Sequence, residues 1–223
     1  MLFLVGMGLE EGDMSLKGLK AVSDSKEVYI EDYTSFPYRP GFDARRLSRE
    51  EVESDFLIKR AKLGKVTLLV PGDPLFATTH ISLVAECRKE GVPVEVIHAP
   101  SVINAISRTG LSPYKFGRTV TLSGPVESDR ERIESNRAAG LHTLCLLDPK
   151  IDAARGLDVL RGMGFSGRMV VCERIGTRDE RISYGEVPDL QAQGFGAPPH
   201  CIILPAELHF FEEEFLQQFS IKA

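Results

Sequence analysis

The chain has 223 residues, of which 43% are apolar and 26% charged, with a formal net charge of −5. That length supports one large domain or two smaller ones with a sizeable core. The composition is that of an ordinary globular chain, without the clustered Lys and Arg of a nucleic-acid binder or the ~20-residue apolar run of a membrane helix.

The elements follow one another in a regular rhythm. "LFLVG" reads as a strand, and "SLKGLKAVSDS" as a helix with Ser15 as N-cap. "EVYIE" is a second strand. "SREEVESDFLIKRAKLG" has the period of one long amphipathic helix, capped by Ser48 and ended by Gly64. "KVTLLV" is the next strand, "HISLVAECRKEG" a helix stopping at Gly91, "VPVEVIH" a strand and "SVINAISRTG" a helix. This alternation predicts a mainly parallel sheet covered on both faces.

Beyond "GLSPYKFG" the texture changes. "RTVTL" is a strand, "ESDRERIESNRAAG" a charged helix, "LHTLCLL" a strand and "DAARGLDVLRGMG" a helix. "RMVVCERIG" and "RISYGEV" read as a strand pair, "CIILP" as a strand, and "ELHFFEEEFLQQF" as a final amphipathic helix. Gly, Ser and Pro cluster between Leu111 and Phe116. The expected organisation is therefore two α/β domains, residues 1–112 with a mainly parallel sheet and residues 113–223 with a mixed one.

The opening "MLFLVGMGLEEGD" has no basic segment and no cleavage pattern, so no signal peptide is expected and the location expected is cytoplasmic. Cys87, Cys145, Cys172 and Cys201 stand singly in apolar or helical surroundings. They read as small core hydrophobes, and no metal site is expected.

Two glycine–acid loops follow strands. "VGMGLEEGD" carries Gly6, Gly8, Gly12 and Asp13, and misses the dinucleotide pattern G-x-G-x-x-G by one residue. It fits a ligand loop or a tight strand-to-helix turn. In "VPGDPLFATTH", Gly72 allows close approach to the backbone, Asp73 presents a carboxylate, Pro74 stiffens the turn, and Thr78 and Thr79 offer hydroxyls. Asp73 and the threonines either face a ligand beyond the strand ends or cap the next helix. Neither loop holds the lysine of a triphosphate-binding loop. A crevice built from both suits a ligand with ribose and cationic groups.

These residues resemble the diphthine synthases, a family of tetrapyrrole-methylase-like (class III) S-adenosylmethionine-dependent methyltransferases. The likeness runs nearly end to end, through "VGMGLEEGDMSLKGLKAV", "VYIEDYTS", "GDPLFATTH", "VEVIHAPSVINAISRTGLSPYKFGRTVTL", "NRAAGLHTLCLLDPK", "ERIG" and "APPHCIILP". The chain departs from the family pattern in three places. It is shorter after "LLDPK", it has "SGPVESD" where the family carries a tryptophan-bearing segment, and it reads "LLDPK" for Leu-Leu-Asp-Ile-Lys.

The resemblance implies two α/β domains of the tetrapyrrole methylase type with S-adenosyl-L-methionine in the cleft between them, released as S-adenosyl-L-homocysteine. Carried over by motif, the cofactor contacts are Leu9, Asp73, Phe76, Ser101, Val102, Leu147, Ile175 and His200. The apolar members would act through backbone groups and by packing on the adenine. The implied substrate is translation elongation factor 2, at the amino group of a histidine already carrying a 3-amino-3-carboxypropyl group. Trimethylation gives diphthine, a step towards diphthamide. The compact length favours the archaeal type, which stops there. A homodimer is implied, with no nucleic-acid or membrane partner.

No catalytic side chain is assigned, because an amine near its ordinary pKa needs little help to deprotonate. His80 fits a capping or packing role, or a base. His98, His142 and His209 read as structural. "YTSFPYRPGF", with Arg39, suits protein contact or a carboxylate, and Glu31 and Tyr33 are candidates for the substrate side. Two other readings stay in play. Tetrapyrrole methylases of the same fold carry Gly-Pro-Gly-Asp where this chain has "GLEEGD", and a non-catalytic cofactor-binding regulator would keep the loops without turnover.

Overall fold

The computed structural model describes residues 1–31, 33–36, 38 and 40–221. Two compact units divide at Asn104 and Ala105, ahead of the expected boundary at 112–113.

The first unit runs β1 (Leu2–Gly6), α1 (Leu16–Asp24), β2 (Glu27–Glu31), β3 (Arg45–Leu47), α2 (Arg49–Glu53), α3 (Phe56–Leu63), β4 (Val66–Val70), α4 (Ile81–Lys89) and β5 (Val94–Ile97), and reaches the start of α5 (Val102–Ala105). The sheet order is β3-β2-β4-β1-β5. Every pairing is parallel. Leu2 and Leu4 of β1 enter a cluster with Leu68, Leu57 and Val84, while Phe3 and Val5 face Ala21 and Met14 on the opposite side. Both faces are thus covered, and β1 and β4 are buried along their whole length.

The expected long helix over 48–64 is two helices. The Ser54 hydroxyl donates to Glu51 O at 2.7 Å and accepts from Phe56 N at 3.1 Å, taking backbone groups that a continuous helix would pair. Gly64 ends α3 in an extended conformation, without a left-handed cap. The entry to α2 matches expectation. Ser48 Oγ accepts from Glu51 N at 3.3 Å and the Glu51 carboxylate accepts from Ser48 N at 3.0 Å, a reciprocal capping box. Ser48→Ala should lower stability by about 1 kcal/mol, read as a shift in the urea midpoint.

The second unit holds β6 (Val120–Leu122), α6 (Glu127–Ala138), β7 (Thr143–Leu147), α7 (Ala153–Gly162), β8 (Arg168–Glu173), β9 (Arg181–Glu186), α8 (Val187–Gln193), β10 (His200–Leu204) and α9 (Phe210–Leu216). Its sheet order is β6-β7-β10-β8-β9. β6 and β7 are parallel and the other pairs antiparallel, so the sheet is mixed as expected. Leu157, Leu160, Val187 and Leu190 pack against Val171, Cys145 and Ile202 in its core. All four cysteines are free and buried.

Two features tie this unit's connections down. Asn136 of α6 accepts from Arg118 N and donates to Arg118 O and to Thr143 Oγ1, each at 2.9 Å, standing in for a strand partner. Glu212 of α9 is buried and accepts from Ser112 N, His209 N, Lys115 Nζ and His142 Nε2. Among the described residues no helix is long and apolar enough to cross a membrane.

Candidate functional site

In the first unit the carboxyl end of the sheet is built around two touching loops. Beyond the last β1–β4 rung, Gly8 N donates to Gly72 O at 3.2 Å and Gly72 N to Gly8 O at 2.9 Å. Both glycines hold positive φ, +80° and +67°, which lets the chains turn towards each other there. α1 and α4 leave this point on opposite faces of the sheet, since Ala21 and Val84 belong to different core clusters. Such a divergence at strand ends opens a crevice in α/β sheets.

Asp13 closes the first loop on itself. Its Oδ2 accepts from Leu9 N at 2.8 Å and Glu10 N at 3.2 Å. The Leu9 amide is therefore spent inside the loop, leaving its carbonyl and side chain for a ligand. The glycine–acid pattern here is in part the tight turn that the sequence allowed.

In the second loop Asp73 Oδ1 accepts from Leu75 N at 2.9 Å, and Oδ2 lies 2.7 Å from His98 Nδ1. The carboxylate is thus oriented from two sides and keeps lone pairs for a further donor. The threonines do not cap α4: Thr78 Oγ1 donates to Pro74 O at 2.7 Å, and His80 occupies the N-cap without a side-chain cap bond. His98, expected to be structural, lies against a candidate cofactor residue. The two are 25 positions apart and follow different strands, so no local pattern links them.

Ser101 lies across from Gly72, whose added Cβ would stand 3.5 Å from the Ser101 Cβ. The Ser101 hydroxyl is buried with no hydrogen-bond partner. An orphaned buried hydroxyl costs free energy that a bound polar group would offset. Val102 opens α5 beside it. Leu9, Asp73, Phe76 and Ser101 thus lie in loops beyond the carboxyl ends of β1, β4 and β5, and Val102 starts the helix that follows β5.

Within the second unit Leu147 ends β7, Ile175 follows β8 and His200 opens β10. The antiparallel registers Cys201↔Leu146 and His200↔Glu173 bring all three to one edge of that sheet. His200 Nδ1 accepts from Ala153 N at 3.2 Å, which puts the neutral ring's proton on Nε2. That atom faces Glu173 Oε2 at 3.9 Å and has no hydrogen bond. Burial pushes the His200 pKa down, with the Glu173 charge opposing it. Sequence reasoning missed Glu173, a fully buried carboxylate that also accepts from Gly196 N at 2.5 Å.

Ala77 and Arg174 hold positive φ, 56° and 47°, and are the non-glycine residues among those described that do so. One sits in the Asp73 loop and the other beside Ile175. Strain of this kind, about 1–3 kcal/mol each, is commonly stored where a ligand is held.

Glu31, a candidate for the substrate side, is buried and accepts from Tyr33 N and Thr34 N, each at 3.1 Å. His80 is a packing residue, buried between Pro74 O and the Tyr33 hydroxyl at 3.2 Å each. Arg39 lies outside the described residues. No group of three or more candidate metal ligands occurs among the described residues.

The model of the Tetrapyrrole (Corrin/Porphyrin) Methylases matches residues 1–191. A diphthine synthase of Methanocaldococcus jannaschii is 38% identical, over 97% of this chain and 98% of its own length. A protein of Arabidopsis thaliana named as a probable diphthine methyl ester synthase is 34% identical over 100% of this chain and 99% of its own. A solved diphthine synthase superposes with a TM-score of 0.93 at 34% identity, covering 98% of this chain and 95% of that one.

Proposed function

This chain belongs to the tetrapyrrole (corrin/porphyrin) methylase family, in its diphthine synthase branch, and from that premise we propose that it methylates the amino group of the 3-amino-3-carboxypropyl-histidine of elongation factor 2, with S-adenosylmethionine as donor. It is an S-adenosylmethionine-dependent methyltransferase of diphthamide biosynthesis. The observation that carries the reading is a likeness covering nearly the whole of both chains.

The residues present fit the donor. The Gly8–Gly72 junction brings the two loops together, the Ser101 hydroxyl is buried and unpartnered, and the Asp73 carboxylate is pre-oriented. S-adenosylmethionine supplies a methyl group already activated on a sulfonium, so the protein's work is to bind, orient and exclude water. Asp73 would accept from ribose hydroxyls or pair with the ammonium. Ser101 would donate to or accept from a polar group at the junction. Leu9, Phe76 and Val102 would pack on the adenine or present backbone groups. Leu147, Ile175 and His200 are proposed as further contributors to the same binding. The amine must arrive neutral, a modest demand for a group whose ordinary pKa is about 8. A homodimer and a cytoplasmic location are proposed with this function.

The test is mass spectrometry of elongation factor 2 bearing the aminocarboxypropyl-histidine, incubated with the protein and S-adenosylmethionine. Three added methyl groups on that residue are expected. A fourth, lost on mild base treatment, would make the end point the methyl ester named for the Arabidopsis relative. No added mass, with the cofactor still bound, would overturn the substrate assignment.

A further inference from the structure

After β7 the chain makes a short turn that carries two cations. Lys150 N donates to Asp148 Oδ1 and Ile151 N to Asp148 O, each at 2.9 Å, so Asp148 folds the turn on which Lys150 stands. Asp152 then caps α7, its Oδ1 accepting from Arg155 N at 2.8 Å. Pro149, Lys150, Ile151, Asp152 and Arg155, with Pro198 from the approach to β10, line an open cavity of about 340 Å³. It adjoins the sheet edge already described: Leu147 ends the strand just before it, and Ala153 N, next after Asp152, donates to His200 Nδ1 at 3.2 Å.

The charges in this cavity are uncompensated. Lys150 and Arg155 are exposed, and neither side chain has an ion pair or hydrogen bond among the described residues. Other cations of this unit are matched: Arg161 pairs with Asp158, Arg108 with Glu180 and Arg181 with Glu173. Arg155 also stands in the first turn of α7, where the helix dipole is positive and a cation is disfavoured. Asp152 is a single negative charge against the two positive ones, and one of its oxygens is engaged by the cap.

Resting on the function proposed above, we propose that this cavity is a carboxylate site in which Lys150 and Arg155 hold the carboxylate of an α-amino acid head group. The reaction presents that chemistry twice. The methionyl end of the donor and the side chain of the acceptor both end in a 3-amino-3-carboxypropyl unit, on sulfur in one and on imidazole in the other. A guanidinium takes a carboxylate through two parallel hydrogen bonds, and an ammonium adds a point charge. Asp152 keeps a second carboxylate oxygen able to accept from the amino group on the same carbon. Pro149, Ile151 and Pro198 give the methylenes an apolar wall. Holding the carboxylate fixes the nitrogen two bonds away, which in the acceptor is the attacking atom.

The experiment compares the wild type with Lys150→Gln, Arg155→Gln, the double variant and Arg161→Gln, a cation of the same helix outside the cavity lining. Calorimetry measures affinity for S-adenosylmethionine and for its decarboxylated analogue. Steady-state methylation measures KM for elongation factor 2 bearing the aminocarboxypropyl-histidine. The substituted side chains are exposed, so all variants should melt with the wild type. If the donor's carboxylate fills the cavity, the double variant loses at least about tenfold in affinity for S-adenosylmethionine and none for the decarboxylated analogue. If the acceptor's does, donor affinity stays and KM rises at least about tenfold. Lys150→Arg should keep most of the wild-type value in either case, and Arg161→Gln should change neither constant. Donor affinity and acceptor KM both unchanged in the double variant, or an equal loss for the decarboxylated analogue, would overturn the inference. A wild type that neither binds the donor nor methylates the acceptor would instead overturn the function on which it rests.

Discussion

Gly6→Ala should lose at least about tenfold in S-adenosylmethionine affinity and about 1–3 kcal/mol of stability. A Cβ at this position would stand 2.7 Å from Gly72 O, 2.8 Å from the Ala99 Cβ and 3.0 Å from the Pro74 Cδ. A backbone carbonyl, a methyl group on a loop and a proline ring cannot swing aside as a lysine tip would. Relief requires the ends of β1 and β4 to separate. That separation stretches the Gly8–Gly72 pair and moves Asp73 and Ser101 from their common edge. Calorimetry and a urea midpoint measure the two effects. Unchanged values for both would mean that the junction is softer than its contacts state.

Glu212 carries the second large effect. It is 4% exposed and accepts from Ser112 N, His209 N and Lys115 Nζ at 2.9 Å and from His142 Nε2 at 3.1 Å. Glu212→Ala leaves these donors facing a void and should cost about 3 kcal/mol. Burial pushes the Glu212 pKa up, but hydrogen bonds from His209, Ser112, Lys115 and His142 outweigh it and hold the value at about 2, against an ordinary 4.5. A depressed carboxylate contributes stability that is complete above its unfolded pKa and is lost as pH falls through the folded one. The wild type should therefore weaken between about pH 4.5 and pH 2 by more than Glu212→Gln does. Parallel pH profiles of the denaturation midpoint would show that Glu212 is not the titrating group.

Strands were legible wherever burial on both faces demands unbroken apolar runs, as in "LFLVG" and "VTLLV". β3 was not, because two of its three residues are arginines and only the edge of β2 makes it a strand. The break at Ser54 was hidden because the helical period continues across it while one hydroxyl takes over the backbone groups. α8 was not legible beyond Val187, the last residue of "RISYGEV", although Pro188 sits in its first turn. At the candidate site, glycines and acids marked the loops, but not what each acid does. Asp13 ties its own loop, Glu31 its own turn, and Asp73 leans on His98 from another strand. Roles set by tertiary contact leave no trace in spacing. Asn136 and His142 show the same limit, since their side chains tie "NRAAGLHTLCLLDPK" to Arg118 and Ala206, far off in the chain.

The position of β1 has a consequence for how the chain is made. It precedes the other strands of its sheet in the chain, yet its two neighbours are β4 and β5, with Leu2 opposite Val66 on one side and Val94 on the other. No hairpin can shelter it in the interval, because parallel partners lie across long crossovers. On the ribosome the apolar run "LFLVG" must wait, unpaired, until β4 and then β5 have emerged. The sheet of the first unit closes only once β5 is out, whereas β8 and β9 of the second unit, neighbours in sequence, can pair as soon as both have emerged.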